Sequence, residues 1–496
     1  MIISHDLGTT GNKATLVDET GAVVAAVTVT YETDFGQGGK AEQDPREWWR
    51  ALCEATAQLF AAHPGARERI AGVSFSGQMM GAVLLDGVGE PVRPAIIWAD
   101  TRSTAQAGQL VERVGMERGY AITGHRLNAT YSLSKIMWVR DTEPDVFGRA
   151  RHVMCAKDYV AYRLTGVMAT DPSDASGTNA YDQASGGWSD ELLTAAGIGD
   201  LFTEIVPSTQ VIGTVTARAA SETGIVAGTP VVMGGGDGPM AALGAGVIDA
   251  ASGAYTYLGS SSWVSFAADA PLHDPLMRTM TFNHVIEGRY VPTATMQAGG
   301  ASLQWIVEAL EPGNSAAYSE LLDAAASATA SQDELYFLPH LLGERSPYWN
   351  PRARAAFIGL ARHHDRANLV RAVVEGVAFN LFTGLEAFTS TGARITSIDA
   401  IGGAANSGVL LQIFSDVWGL PIRRRALVDE ATALGAAVVG GVAVGLFDDF
   451  SIAAKLSELT GDFAPHAPRH TGYRKSHGRF LDAYQRIEPW FEGAPE

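Results

Sequence analysis

Cysteine is nearly absent from this sequence: two among 496 residues, Cys53 and Cys155. Two thiols cannot build a disulfide framework or a four-ligand zinc site, which points to a reducing compartment. Basic residues are in deficit as well, with Lys+Arg 36 against Asp+Glu 54 and a formal net charge of -18. That balance argues against nucleic acid or an anionic membrane as the main partner. An anionic ligand stays compatible with it where backbone N–H groups, a metal or local Lys and Arg do the holding. No charge-free apolar run reaches the ~18 residues of a membrane span. Met1 runs straight into a strand-like stretch, without the basic and apolar regions of a signal peptide. The expectation is a cytoplasmic protein. Three chemical signatures are missing too. There is no G-x-x-x-x-G-K-[ST] loop, Pro239 stands where the third Gly of G-x-G-x-x-G belongs, and Gly72-Val73-Ser74-Phe75-Ser76 lacks the closing Gly of a hydrolase elbow. P-loop kinases, nicotinamide dehydrogenases and serine hydrolases with that elbow are thereby set aside.

Hydrophobic residues make up 46% and charged ones 18%, the balance of a globular chain with a large core. The length suggests roughly two to four domains. Near the middle, an apolar run opened by Pro230 and stopped by Gly234-Gly235-Gly236 reads as a buried strand ending in a tight loop. Three glycines leave room for a ligand to approach the backbone, and Asp237 follows them. An Asp fixed there can orient a substrate hydroxyl and accept its proton; the same letters also describe an ordinary turn.

At the start of the chain, Ile2–Leu7 reads as a strand, 8–13 as a turn, and Ala14 to Asp18 as the returning strand. The turn carries Thr9, Thr10 and Lys13 and can embrace a phosphate, while Asp6 can hold Mg²⁺ through water. Asp44-Pro45 caps a helix running to about Ala62. Strand ends at 76–81 and 98–102 carry Gln78, Trp98, Asp100 and Arg102, the wall of a polar cleft with one aromatic face. Core packing for Trp98 and an ion pair for Arg102 are the plain alternatives. Residues 171–178 read as loop. The strand–Leu-Gly–hydroxyl turn–strand pattern then recurs at 254–266, with Leu258 lying 251 positions after Leu7, about half the chain. Two halves opening alike suggest an internal duplication with a ligand between them. In the second half, Gly299-Gly300 enters a helix whose N-terminus suits a nucleotide phosphate or ribose. Asp365 caps a long amphipathic helix with Leu369, Val373, Val377 and Leu381 on its apolar face. Gly402-Gly403 leaves an adenine room to lie flat, with Asn406 and Ser407 as hydrogen-bonding edges. Asp429 opens a last Ala- and Gly-rich helix.

Together these stretches resemble the FGGY carbohydrate kinases from end to end, nearest in layout to the xylulokinases. The resemblance is carried by DLGTTGNKA at 6–14, SGQMMGAVLLD at 76–86, RPAIIWADTRS at 93–103, AKDYVAYRLTG at 156–166, GGGDG at 234–238, LGSSSW at 258–263, GGASLQW at 299–305, LPHLLGERSPYWNP at 338–351 and IGGAANS at 401–407. It implies an α/β fold of two actin-like, ribonuclease-H-like domains, 1–245 and 246–496, with an interdomain cleft closing around ATP and a small sugar or polyol. Carried over by position, Asp237 is the catalytic base. Thr9, Thr10 and Lys13 face the phosphates from one domain and Ser260 from the other. Gly300, Gln304, Gly403, Asn406 and Ser407 lie along the nucleotide, Asp6 serves Mg²⁺, and Gln78, Met79, Met80, Trp98 and Gly238 line the sugar pocket with Asp237. Xylulokinases have His where this chain has Met80, and Asn at the positions of Ala99 and Gly238, so the identity of the sugar is left open. The sequence allows a homodimer without requiring one. The rival reading is an actin-like ATP-driven switch that shares the nucleotide cleft and phosphorylates nothing.

Overall fold

The computed structural model describes residues 1–314, 316–426, 430–456 and 458–493. A first mixed sheet is built from β1 (Ile2–Leu7), β2 (Gly11–Val17), β3 (Val23–Thr30), β4 (Gly72–Gly77), β5 (Val211–Thr214), β6 (Pro230–Val232) and the two-residue β7 (Gly235–Gly236). Their order is β5-β6-β4-β1-β2-β3, with β7 continuing beside β4. β1 pairs antiparallel with β2 and parallel with β4, and β6 and β7 run parallel to β4. β1 reads Ile-Ile-Ser-His-Asp-Leu and is buried almost throughout, because helices cover both faces of the sheet. His5 accordingly sits neutral within it, its pKa pushed down to about 3 by burial.

The second sheet repeats the plan. β8 (Ala254–Leu258), β9 (Ser262–Phe266), β10 (Met280–Asn283), β11 (Tyr290–Met296), β12 (Ile398–Ile401), β13 (Ile422–Arg425) and β14 (Leu459–Phe463) follow the order β10-β11-β9-β8-β12-β13-β14. β8 is antiparallel to β9 and parallel to β12, as β1 is to β2 and β4. β1 and β8 stop at Leu7 and Leu258, each one residue before a glycine turn. The expected pair of ribonuclease-H-like sheets is present.

The helices follow local signals. α1 (Pro45–Ala62) starts where Asp44 accepts a hydrogen bond from the Arg46 N–H and Pro45 takes the first helical position, and it buries Trp48, Leu52 and Leu59 on the sheet. α2 (Ala156–Thr165) is capped by a reciprocal pair between Cys155 and Asp158. Residues 171–178, expected as loop, contain the short helix α3 (Pro172–Ser176), with Asp171 accepting from the Ser173 and Asp174 N–H groups. The same Asp-Pro signal that starts α1 stands there, but five residues are too few to show a hydrophobic period. α4 (Asp237–Gly244) follows β7. In the second half come α5 (Gly300–Leu310), α6 (Arg366–Ser390), α7 (Gly408–Trp418) and α8 (Ala431–Ala443). α6 is capped by Asp365 as expected but is not amphipathic: every residue from Val370 to Leu385 is buried, because sheet and helices surround it. Arg371 survives inside by pairing with Glu375 at 2.7 Å and donating to the Tyr473 hydroxyl. Asp429, expected to open α8, lies outside the described residues; Glu430 is the cap.

α8 comes late in the chain yet packs on β1 and β4 of the first sheet, and against α4. The two helices touch at backbone distance. A Cβ on Gly435 would stand 2.2 Å from the Met240 carbonyl oxygen, and one on Gly244 would stand 1.8 Å from that of Ala431. Replacing Gly435 by Val is therefore expected to lower the unfolding free energy by about 2–3 kcal/mol, the cost of overpacking a close helix contact. Urea titration measures this, and parent-like stability would contradict the contact.

Candidate active site

Parallel pairing decides which side chains meet. Asp6 and Gly235 both stand opposite Ser76 of β4, from either side. The strand ends therefore bring Asp6 and the residues just after Gly235 to one edge of the sheet, where a ligand of an open α/β sheet sits. Asp237 does not lie in a loop as expected; it is the first residue of α4. Its pKa is raised to about 7, by burial first and then by the charge of Asp6, against the Gly238 N–H that donates to its Oδ1 at 2.7 Å. Burial also raises Asp6, offset by the hydrogen bond from Thr432 and by the charge of Lys13, its partner across β1–β2. The Thr432 hydroxyl, on α8, donates to Asp6 Oδ2 at 2.5 Å. Two carboxylates that hinder each other's ionisation make an oxygen-rich edge to which a hard divalent cation fits.

The three glycines before Asp237 do not clear space for a ligand. A Cβ on Gly234 would lie 2.2 Å from the Phe75 carbonyl oxygen, one on Gly235 would lie 2.7 Å from Ser173 Oγ, and one on Gly236 would lie 2.6 Å from Met79 Sδ. Protein atoms fill those spaces, and Gly234 in addition takes a φ of 72°. The glycines let the backbone before Asp237 press against its neighbours.

Asp237 and Gly238 face a cavity of about 110 Å³, which Met79, Met80 and Trp98 also line. The far wall comes from the second half and was not foreseen: Tyr255 and Trp263 on the hairpin β8–β9, Thr295 on β11, and Arg345 from the loop after residue 338. No local signal marked Tyr255 or Thr295 beyond ordinary strand letters, and Trp263 and Arg345 stood in resembling stretches without a role. Trp263 Nε1 donates to the Tyr255 hydroxyl at 2.8 Å, which in turn donates to the Gly238 carbonyl at 3.0 Å, linking the two halves across the cavity. Met80 has a left-handed backbone, φ 63°, rare for a residue with a side chain. The buried Lys135 ammonium holds its carbonyl at 3.0 Å. Gln78 does not line the cavity. Its Nε2 donates to Gln43 Oε1 at 2.7 Å, and Gln43 Nε2 donates to the Thr9 carbonyl at 2.6 Å. Trp98 Nε1 donates to Thr9 Oγ1 at 2.9 Å. Gln78 and Trp98 thus tie the cavity wall to the first glycine turn. Ala99 packs on the first core instead of facing the cavity. Arg102 pairs with both Glu42 at 2.6 Å and Asp100 at 2.8 Å rather than forming a cleft wall.

A second cavity, about 690 Å³, lies on the other sheet between the β8–β9 turn and α5. Ser260, Gly300, Gln304 and Gly403 line it, beside Tyr257 and Tyr318. A Cβ on Gly403 would meet nothing within 4 Å, so here a glycine does leave open space. Asn406 and Ser407 do not line it: Asn406 donates back to the Gly403 carbonyl at 3.1 Å, and Ser407 caps α7. Thr9 and Thr10 lie in the turn closed by Gly8 N–H on the Gly11 carbonyl at 3.0 Å.

Comparison with known proteins gives consistent results. A model of the FGGY family of carbohydrate kinases, N-terminal domain, matches residues 1–244, and its C-terminal-domain counterpart matches residues 254–444. The chain is 36% identical to a xylulose kinase of Klebsiella pneumoniae over 492 residues, 99% of each chain. It is 31% identical to a gluconokinase of Bacillus subtilis over 480 residues, 94% of this chain and 91% of that one. The crystal structure of xylulose kinase from Rhodospirillum rubrum superposes with a TM-score of 0.91 at 30% identity, over 99% of each chain.

Because the pKa of Asp237 is raised to about 7, its contribution to stability is full below the ordinary carboxylate value and is lost as pH rises through about 7. Asp237→Asn, neutral throughout, is expected to gain stability over the parent between about pH 5 and about pH 8 in chelator. Urea midpoints at the two pH values check this; an unchanged difference would contradict it.

Proposed function

The chain belongs to the FGGY family of carbohydrate kinases, and from that premise we propose that it moves the γ-phosphoryl of ATP onto a hydroxyl held at Asp237. It is an ATP-dependent phosphotransferase acting on a small sugar. Among the described residues, no helix is long and apolar enough to cross a membrane.

The observation that carries the assignment of Asp237 is its position: a cavity that takes walls from both halves of the chain has this carboxylate, with a pKa of about 7, in its lining. A base poised near neutrality can accept a proton from a hydroxyl as the phosphoryl arrives. ATP fits the larger cavity, with Ser260 and the N-terminus of α5 toward its phosphates, Gly403 under the base, and the Thr9–Thr10 turn reaching the γ-phosphate from the first sheet. Asn406 and Ser407 stand further out. Mg²⁺ bound at Asp6, directly or through water, would neutralise phosphate charge. Thr432 and Lys13 keep that carboxylate in place. Movement of the lobes, taken as 1–245 and 246–496, would complete the small cavity and exclude water, the competing acceptor. Nothing favours a switch protein without a sugar substrate.

The acceptor is proposed to be a small ketose or polyol. Of the three positions that differ from xylulokinases, Met80 and Gly238 line the cavity, and neither offers a side-chain hydrogen bond. A hydroxyl left unpaired in such a pocket costs ~1–3 kcal/mol. Another small ketose or polyol is therefore expected to exceed D-xylulose by roughly 10-fold in kcat/KM. Side-by-side acceptor assays at fixed Mg-ATP decide it, and D-xylulose as the best acceptor would refute it. Asp237→Asn is expected to lower kcat by about 10²-fold or more with ATP binding nearly intact. Near-parent turnover would remove Asp237 from the chemistry.

A further inference from the structure

Four ionisable side chains sit together in the first lobe, wholly out of contact with solvent and with either cavity. Lys157, near the start of α2, is 0% exposed and places its ammonium 2.5 Å from Asp158, 3.0 Å from Asp171 and 3.1 Å from Asp174. Burial alone would push the lysine pKa down, yet the three carboxylates hold it well above its ordinary value. Lys157 donates a hydrogen bond to Asp158 Oδ1, while Asp171 and Asp174 stand within ion-pair distance of the same ammonium. Cys155, Asp158 and Asp174 also bring their ligand atoms within 4.8 Å of one another. The lysine already supplies the cation of that cluster.

Buried ion pairs can often be replaced by apolar groups of the same volume without loss of stability, so a cluster of buried charges invites a search for what else it does. The cluster leads somewhere. Asp171 Oδ2 accepts from Ser173 Oγ at 2.5 Å and from Ser208 Oγ at 2.7 Å. A hydroxyl has one proton; that of Ser173 is committed to Asp171, so its lone pairs face outward. One of them accepts from the Gly236 N–H at 2.8 Å. Gly236 directly precedes Asp237 and is the N-cap of α4. Gly235, whose Cβ would collide with Ser173 Oγ, makes that approach sterically open.

We propose that Lys157, Asp171 and Ser173 form a positioning relay that sets the backbone at Gly236 and thereby the aim of the Asp237 carboxylate. This rests on Asp237 being the base. Lys157 orients Asp171, Asp171 orients the Ser173 hydroxyl, and Ser173 grips the peptide N–H next to the reacting side chain.

Ser208 supplies the control, because it donates to the same carboxylate oxygen and touches neither Gly236 nor Asp237 through its side chain. The experiment compares Ser173→Ala, Ser208→Ala, Asp237→Asn and the Asp237→Asn/Ser173→Ala double variant in kinetics with the best acceptor and in urea unfolding. Ser173→Ala is expected to lower kcat by about 10-fold with KM for both substrates within about two-fold. Ser208→Ala should lose comparable stability but keep kcat within about two-fold, and Ser173→Ala should add nothing on the Asp237→Asn background. Equal kcat in the two serine variants, or an additive loss in the double variant, would overturn the relay while leaving Asp237 as base. Parent-like turnover of Asp237→Asn would overturn both.

Discussion

Two carboxylates at neighbouring strand ends are the constraint on which the remainder of the site depends. Asp6 and Asp237 reach one edge of the first sheet because β1 and β7 both run parallel to β4 and align on Ser76. Half-buried and near each other, they resist ionising together. Everything around them moderates that conflict. Thr432 donates to Asp6, Lys13 stands across the ladder from it, and the Gly238 N–H donates to Asp237. A group so balanced holds a proton loosely at neutral pH, which suits a base that must collect and release one in each turnover.

The duplicated plan explains why the small cavity lies between sheets rather than within one. Each half supplies a glycine turn after its first strand, ending at Leu7 and Leu258, but the halves have diverged in what surrounds the turn. The first carries the carboxylates and the Met79–Met80 wall; the second carries the large cavity floored by Gly403. The small cavity needs both, since Arg345 and Trp263 complete it from across the cleft. α8 departs from the simple halving: although late in the chain it packs on the first sheet, and through Thr432 it reaches Asp6.

Much of the site was legible because it sits in local patterns. The strand–glycine–hydroxyl motif marked both turns, Asp-Pro marked the start of α1, and an Asp after a buried strand marked Asp237. What was misread needed a partner distant in sequence. The glycines at 234–236 suggested room for a ligand, but Phe75, Ser173 and Met79 fill it. Gln78 looked like a pocket residue and is a strut to Gln43 and the Thr9 turn. α6 carried an apolar period and is buried on every side.

By itself the sequence determined the residue types and their local conformations: where strands stop, which turns carry hydroxyls, which acidic residue follows the central strand. Periodicity, capping and turn chemistry act over a few residues, so they can be read from a few residues. Tertiary structure alone decided the environment of each group. Whether a lysine is solvated or caged among three aspartates, whether a carboxylate titrates low or near 7, and whether a glycine faces a ligand or a neighbour's carbonyl depend on atoms tens or hundreds of positions away. Burial and Coulomb interactions act through space, and the chain order does not list what lies nearby.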